Sequence, residues 1–338
     1  MIKKGIKKGS AFVLMTVLVF STIVLPNVRA ALDVDTDAVC SVEINVTGCS
    51  YKELNGTVQT VSALPVTVNL YKVADIDAEG NYTAEASLET VDFSGLDSET
   101  TAAQWETLAA AVKAEVDADE MAVTASDSTE DGVVTISNLE TGLYLVDAGQ
   151  VLSDYYQYDF ASYLISLPNN YYYDTNDDTW VYDLTGENAI GLKPEKSERY
   201  GDLEINKLLD IYNETIGGAN FVFQIEGSKT DIDTEETKVV YSDVIAMSFR
   251  NPGMDSLVIE HLPAGSIITV TEVYSGASYE LMSDVSKTLT ILADTVVEAE
   301  FANTYNEGLN GGTGLVNSFS YNSDTGVWTH SAAEDSTP

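Results

Sequence analysis

The chain has few basic residues and few histidines. It carries 16 Lys and Arg against 54 Asp and Glu, which gives a formal net charge of −38. So acidic a surface argues against nucleic acid or anionic lipid as a partner. The two histidines, His261 and His330, lie far apart in the sequence without metal-ligand spacing, and no nucleophile elbow, phosphate loop or zinc motif occurs. We therefore predict no metal and no cofactor.

Cysteine is equally scarce, with Cys40 and Cys49 as the only two. The intervening "SVEINVTG" alternates like a single strand, and an extended strand holds the two sulfurs too far apart for a bridge. A Cys40–Cys49 disulfide therefore requires a bend in this segment, and both the bridged and the unbridged state stay open.

The first thirty residues have the pattern of a secretory signal peptide. Four lysines precede the apolar run "AFVLMTVLVFSTIVL" (11–25), and Val28 and Ala30 occupy the −3 and −1 positions of a cleavage site. An uncleaved membrane anchor is the alternative, but the run is short for a span. We predict cleavage after Ala30, no membrane span in the mature chain, and a secreted protein at the extracellular cell surface, in the cell wall or a pilus.

The remaining sequence consists mostly of short alternating runs separated by Gly, Asn and Asp, which is typical of all-β sandwiches. One Ala-rich segment, residues 101–118, has helical spacing. The polar "KPEKSERYG" (193–201) reads as a linker. We predict two tandem immunoglobulin-like β-sandwich domains, residues 31–195 with one inserted helix and residues 200–306. A Gly/Asn/Ser-rich tail (307–338) follows, with a hairpin turned at residues 323–326.

Two lysines have the parity of core residues. In "GDLEINKLLD" (201–210), Lys207 is in phase with Leu203 and Ile205, and in "VTVNLYKV" Lys72 is in phase with the aliphatic side chains. Two further polar residues behave likewise. Glu272 is in phase with the aliphatics of "IITVTEV", and Asn303 with those of "VVEAEFANTY". We place these residues on the first, penultimate and last strands of the second domain.

A lysine, a glutamate and an asparagine in one core have a chemical outcome. Burial turns the lysine into a neutral, nucleophilic amine and raises the pKa of the carboxyl, which can then shuttle protons. Attack on the asparagine side chain expels ammonia and leaves an isopeptide bond. The alternative is an ordinary surface ion pair with an outward-pointing lysine, and a one-residue register slip in any strand would produce it.

The same residues carry a resemblance. "LEINK", "GANF" (218–221), "VTE" and "FANTY" occur in the order typical of the Cna-B and streptococcal pilin isopeptide domains of Gram-positive surface proteins. The resemblance implies a Lys207–Asn303 bond with Glu272 as the acid.

The first domain resembles the N-terminal domain of sortase-assembled pilins. The stretches that carry this likeness are "VNLYKVADIDAEGNY" (68–82), "LETGLYLVDAG" (139–149), "YLISLP" (163–168) and "WVYDL" (180–184). The resemblance implies Lys72 as the isopeptide lysine here. From strand phase, Asp147 is our candidate acid and Asn188 our candidate acceptor.

The resemblance also implies a lysine for sortase near the end of the first domain. Lys193 and Lys196 lie in that place, but in "LKPEKSE" rather than in a "Y-P-K"-like motif. The printed sequence has no "LPxTG"-like sorting signal, terminal apolar helix or basic tail. We therefore expect either a truncated sequence or a subunit that is retained or released by another route.

These observations predict a structural surface protein, a pilin or pilin-like adhesin subunit, whose partners are other pilin subunits or sortase. Its only chemistry would be a single-turnover reaction within the chain, so we do not expect an enzyme. An adhesin outside a pilus is the alternative, with the tyrosines of "YYQYDFASY" and 171–173 or the tail hairpin contacting a host protein or glycan. A glycan-acting enzyme would need two facing carboxylates across a cleft, which the sequence does not reveal.

Overall fold

The computed structural model describes residues 33–332, apart from residues 49, 54, 89, 95, 97–99, 171–178, 216, 277 and 309–316. The predicted signal peptide (1–30), Cys49 and the tyrosines 171–173 lie outside the described residues. The predictions made on them therefore stay predictions.

The described residues before residue 199 form sixteen strands and one α-helix. The strands are β1 Cys40–Val46, β2 Ser50–Lys52, β3 Val58–Thr60, β4 Thr67–Ile76, β5 Tyr82–Ala84, β6 Ala125–Ser128, β7 Val133–Leu139, β8 Gly142–Ala148, β9 Val151–Leu152, β10 Tyr156–Phe160, β11 Tyr163–Leu167, β12 Asn169–Asn170, β13 Trp180–Val181, β14 Asp183–Leu184, β15 Ile190–Leu192 and β16 Pro194–Glu198. Short 3₁₀ helices cover Val61–Ala63, Ala86–Leu88 and Gly186–Asn188.

The α-helix, α1, spans Ala102–Ala118, as the Ala-rich segment predicts. Thr101 caps it, because its hydroxyl accepts from the Gln104 backbone while the Gln104 side chain accepts from the Thr101 backbone. The helix buries Ala109, Val112 and Val116. Among the described residues α1 is the single α-helix, which confirms the predicted all-β fold with one helix.

The sheet that carries α1 is buried on both faces. Strands run in the order β11-β8-β4-β5, with β6 also paired to β4. One face contributes Leu70 and Val146 to a core shared with β1. The opposite face contributes Leu143 and Leu145 to a second core beneath α1. Residues in phase with aliphatics on these strands therefore face one of two different cores.

After residue 199, the part of the chain that the structure describes forms ten strands. They are β17 Tyr200–Leu209, β18 Ala219–Thr230, β19 Thr237–Phe249, β20 Gly253–Pro263, β21 Ile267–Tyr274, β22 Tyr279–Leu281, β23 Ser286–Thr290, β24 Val296–Tyr305, β25 Asn317–Asn322 and β26 Val327–Ala332.

Eight of these strands build a β-sandwich. One sheet has the order β20-β17-β24-β22 and the other β19-β18-β21-β23, with a single apolar core between them. The first and last of the eight, β17 and β24, are parallel neighbours. The boundaries 31–195 and 200–306 and the number of domains stay predictions.

Strands β25 and β26 form a hairpin joined by residues 323–326. The hairpin lies against the second sheet of the sandwich. There the Trp328 backbone N–H donates to Ser242 Oγ at 2.9 Å, and Gln224 Nε2 donates to the Trp328 carbonyl at 3.2 Å.

Candidate functional site

Strand β17 carries Lys207 into the core of the sandwich. Burial alternates along this strand, and the inward row comprises Leu203, Ile205, Lys207 and Leu209. Lys207 has 0% of its surface exposed. The strand register therefore places the lysine on the core face, and the alternative of an outward-pointing lysine does not apply.

Glu272 and Asn303 reach Lys207 from two directions. Asn303 lies on β24 opposite Leu209 in the parallel register, so it is one step along the inward row from Lys207. Glu272 lies on β21 of the facing sheet. Their exposures are 0% for Asn303 and 3% for Glu272. The structure thus brings the three predicted residues together, although β22 and β23 follow β21, so its predicted position as the penultimate strand is wrong.

The three side chains form a closed hydrogen-bonded triangle. Lys207 Nζ lies 2.5 Å from Glu272 Oε2 and 2.5 Å from Asn303 Oδ1. Asn303 Nδ2 donates to Glu272 Oε1 at 2.7 Å. The carboxyl therefore touches both the amine that would attack and the amide nitrogen that would leave.

Aromatic rings surround the amine. Lys207 Nζ lies 4.4 Å from the ring centroid of Phe221 and 5.5 Å from that of Phe223. Phe223 in turn packs edge-on against Phe301 with centroids 5.0 Å apart. These rings replace water around Nζ, and strand phase in the sequence does not indicate that role. "GANF" does end in Phe221, so the signal was present.

The shared burial moves both ionisable groups toward their neutral forms. Burial lowers the pKa of Lys207, and the hydrogen bond and charge of Glu272 only partly oppose this. Burial likewise raises the pKa of Glu272 against the opposing contacts of Lys207 and Asn303. A neutral amine beside a neutral carboxyl is the combination that nucleophilic attack with proton shuttling requires.

The chemistry open to this triangle is the displacement of ammonia from an amide. Neutral Nζ is the nucleophile, the Asn303 side-chain carbon is the electrophile, and Glu272 lies within reach of both nitrogens. The Ser275 carbonyl lies 3.5 Å from Asn303 Nδ2 and helps to fix which way the amide points. Because packing already holds the groups in contact, proximity would supply much of the rate of such a reaction.

Lys72 has a different environment. Its Nζ lies 2.7 Å from Asp75 Oδ1 and 3.0 Å from Glu140 Oε2, and both carboxylates are largely exposed. Burial opposes the charge on Lys72, yet hydrogen bonds and charge from Asp75 and Glu140 prevail and raise its pKa. Lys72 is therefore held as an ion-paired cation. A protonated amine is not a nucleophile, so Lys72 is not set up to form an isopeptide bond.

The structure corrects the choice of Asp147 as the acid for Lys72. In the antiparallel register Lys72 is opposite Tyr144, whereas Asp147 is opposite Asn69. Directly paired residues share a face, so Lys72 and Asp147 point to opposite sides of the sheet. Asp147 Oδ1 instead accepts from Ser162 Oγ at 2.6 Å.

Asn188 lies in a 3₁₀ helix rather than in a strand. The strand phase from which it was chosen as the acceptor therefore does not exist. The neighbouring strands β14 and β15 pair with β1, in a different sheet from Lys72. Neither Asp147 nor Asn188 is brought to Lys72. Glu140, which contacts it, stands in the quoted stretch "LETG" and was overlooked.

The two lysines considered for sortase also differ. Lys196 Nζ lies 3.0 Å from Asp233 and 4.2 Å from the ring centroid of Tyr156. Lys229 Nζ lies 4.5 Å from the centroid of the same ring and forms an ion pair with Glu198. Both Lys196 and Lys229 therefore belong to the junction between the two halves of the chain. Lys193 is exposed and borders a groove of about 780 Å³ beside α1.

In the tyrosine-rich stretch 155–163, two of the tyrosines lie in the core and not at the surface. Tyr156 and Tyr158 are buried in the first core. The prediction that these two tyrosines contact a host ligand is therefore wrong. Cys40 is buried in the same core. Cys49 lies outside the described residues, so the bridged and the unbridged state of this cysteine pair both stay open.

The described part of the chain lacks two features, a membrane-spanning helix and a metal cluster. No described helix is long and apolar enough to cross a membrane. No group of three or more His, Cys, Asp or Glu among the described residues is arranged to hold a metal ion.

Comparison with known proteins gives structural neighbours only. No family model matches the chain, and no curated protein sequence matches it. The solved structures that it resembles include Gram-positive pilins. The minor pilin GBS52 of Streptococcus agalactiae is 12% identical, over 81% of this chain and 100% of that one, with a TM-score of 0.24.

Two further structures align in the same way. The major pilin SpaD of Corynebacterium diphtheriae is 12% identical, over 82% of this chain and 100% of that one, at a TM-score of 0.25. The Bacillus anthracis TIE protein is 12% identical, over 87% of this chain and 41% of that one, at a TM-score of 0.29. At these values the likeness carries no argument, and the fold and site rest on this chain's own strands and contacts.

Proposed function

We propose that this chain is a structural subunit of a Gram-positive cell surface, pilin-like in its role, whose second half is locked by a self-formed Lys207–Asn303 isopeptide bond with Glu272 as the proton shuttle. The observation that carries the proposal is the buried triangle of these three side chains, with Nζ in contact with both the amide and the carboxyl. No turnover of an external substrate is part of it.

The position of the bond suits a protein that bears tension. The chain enters the sandwich on β17 and leaves it on β24, and these strands are parallel neighbours. Force applied to the two ends would load this strand pair directly. A covalent bond between Lys207 and Asn303 passes that force across one amide, so residues 208–302 stay out of the loaded path.

The proposed bond also accounts for two ionisable side chains at the centre of the core. An unpaired buried ammonium or carboxylate costs several kcal/mol, and even a buried ion pair seldom recovers its desolvation cost. Converting the Lys207 amine into an amide removes one of the two ionisable groups permanently. Glu272 then remains as a neutral carboxyl in an apolar site.

We further propose that Lys193 is the acceptor if a sortase joins this subunit to another. Lys193 is exposed beside a groove, whereas the junction contacts occupy the Lys196 ammonium. Export through the predicted signal peptide and a place at the cell surface belong to the same proposal. Fractionation of the producing cells should find the chain in the envelope or the medium.

Tandem mass spectrometry of a proteolytic digest tests the proposed bond. We expect a branched peptide that joins the segment containing Lys207 to the segment containing Asn303, lighter by one ammonia than the sum of the two. Glu272→Gln should give the two linear peptides. Glu300→Gln makes the same change at an exposed position on β24 and should keep the branched peptide. Linear peptides from the wild-type chain would refute the proposal.

A further inference from the structure

The proposed reaction leaves an ammonia molecule inside a sealed core. The Nζ–Cγ bond forms, the Cγ–Nδ2 bond breaks, and Glu272 moves one proton from Nζ to Nδ2, so the carboxyl ends as it began. The product is neutral NH₃ among three side chains that are at most 3% exposed. It must cross protein to reach solvent.

The leaving nitrogen faces one end of the sandwich. Asn303 Nδ2 lies 3.5 Å from the Ser275 carbonyl, at the turn that follows β21. We define the cap as residues 211–215, 275–276 and 278, which close this end. Hydrogen bonds tie the cap to the end of β24 and to the residue after it. The Tyr305 N–H donates to the Ile211 carbonyl at 3.2 Å, and the Asn306 N–H donates to the Ser278 carbonyl at 3.0 Å.

Two aromatic rings link the cap to the reacting amine. The Asn213 N–H donates to the Tyr279 hydroxyl at 3.1 Å. The Tyr279 ring meets Phe221 edge-on with centroids 5.6 Å apart, and Phe221 lies against Lys207 Nζ. A molecule that leaves the Lys207–Glu272–Asn303 triangle and passes Tyr279 therefore reaches the cap.

Two polar groups in the cap are buried without a hydrogen-bond partner among the described residues. They are Asn213 Nδ2, on a residue 3% exposed, and Ser278 Oγ, on a residue 1% exposed. Leaving a buried donor or acceptor unpaired costs about 1–3 kcal/mol, so such groups in proteins usually hold water. Asn213 Oδ1 is already used, since it accepts from the Thr215 N–H at 3.0 Å.

We propose that Asn213 and Ser278 line the outlet for ammonia, and that water occupies the same positions before and after the reaction. Asn213 Nδ2 donates to the ammonia lone pair, and Ser278 Oγ accepts an ammonia N–H. Both contacts suit a small neutral molecule that is donor and acceptor at once. This inference rests on the proposed isopeptide reaction. Its consequence is that escape through the cap prevents ammonia from attacking the new amide and reversing the bond.

Time-resolved intact mass after a pulse of cell-free synthesis of the full chain tests the outlet. Ser278→Val should slow the loss of ammonia about tenfold, because one hydrogen bond is lost and a methyl group fills the passage. Ser266→Ala is the control. It removes another buried hydroxyl that has no partner among the described residues, at 0% exposure, from the segment between β20 and β21. It should leave the rate at the wild-type value.

A folding measurement separates this role from a structural one. In a Glu272→Gln background, where no bond forms, Ser278→Val should acquire protease resistance as fast as Glu272→Gln alone. Equal bond-formation rates in Ser278→Val and the wild type would overturn the outlet, and so would a folding delay that accounts for the whole effect. If the wild type itself never loses ammonia, the proposed function fails instead.

Discussion

Glu272→Gln is expected to abolish the isopeptide bond and to lower the thermal stability of the chain sharply. Glutamine has nearly the shape of glutamate, so the sandwich core is filled as before. It cannot take a proton from Lys207 Nζ, however, and the amide of Asn303 then stays intact. The variant therefore isolates the covalent bond from the packing around it.

The size of the loss follows from the loop that the bond closes. Lys207 and Asn303 lie 96 residues apart in sequence. By analogy with a disulfide, a cross-link over a loop of this length restricts the unfolded chain by about 4.7 kcal/mol. A domain of about 100 residues shifts its Tm by about 4–8 °C per kcal/mol, so the variant should unfold roughly 19–38 °C lower.

Differential scanning calorimetry of the wild type, Glu272→Gln and Glu300→Gln at one pH and concentration checks this prediction. Glu300 is exposed on β24, so its variant should unfold with the wild type, since exposed charges contribute at most about 1 kcal/mol. If Glu272→Gln unfolded within a few degrees of the wild type, the covalent bond would not be what stabilises the sandwich, and the reasoning would be refuted.

Three further predictions concern pH and the other lysines. Asn303→Leu leaves Lys207 as a free buried amine with a lowered pKa, so the native state binds fewer protons than the unfolded one. Its free energy of unfolding should rise with pH from that lowered pKa to about 10.5, a rise that the bonded wild type lacks in urea titrations across this range. Lys72→Gln should leave the ammonia count in the intact mass unchanged and alter stability by less than about 1 kcal/mol, because Lys72 is an ion-paired cation. In a sortase assay Lys193→Arg should prevent coupling whereas Lys196→Arg should allow it, and the reverse outcome would contradict the assignment of the acceptor.

The site in the second half was predictable because the strands that carry it each have one buried face and one exposed face. On β17, β21 and β24 one face meets the core and the other meets solvent, so a residue in phase with aliphatics faces the core. Lys207, Glu272 and Asn303 all follow this rule. Their mutual contact needed more, since the parallel pairing of β17 with β24 and the facing position of β21 come from the tertiary fold.

The same rule failed on β8 because that strand is buried on both faces. Its seven residues are almost uniformly buried, with Leu145 under α1 and Val146 facing the other core. Phase with aliphatics therefore did not reveal which core Asp147 faced. A register shift between Lys72 and Ala74 further separates the lysine from the regular alternation of β4.

Asn188 shows a second limit of sequence patterns. A phase argument assumes an extended strand, but residues Gly186–Asn188 turn as a 3₁₀ helix between two short strands. Glu140 was missed for a related reason. It lies in the tight connection from β7 to β8, outside either strand, where alternation assigns no direction to a side chain.

The intact mass of the reduced chain, expressed from Ala31 so that its start is known, tests the central claim most directly. The Lys207–Asn303 bond expels one ammonia, so the account predicts a mass about 17 Da below that calculated from the sequence. Because Lys72 is held as a cation away from Asp147 and Asn188, it predicts one such loss and not two. A mass equal to the calculated value would mean that Lys207 and Asn303 touch without bonding, and it would contradict the account.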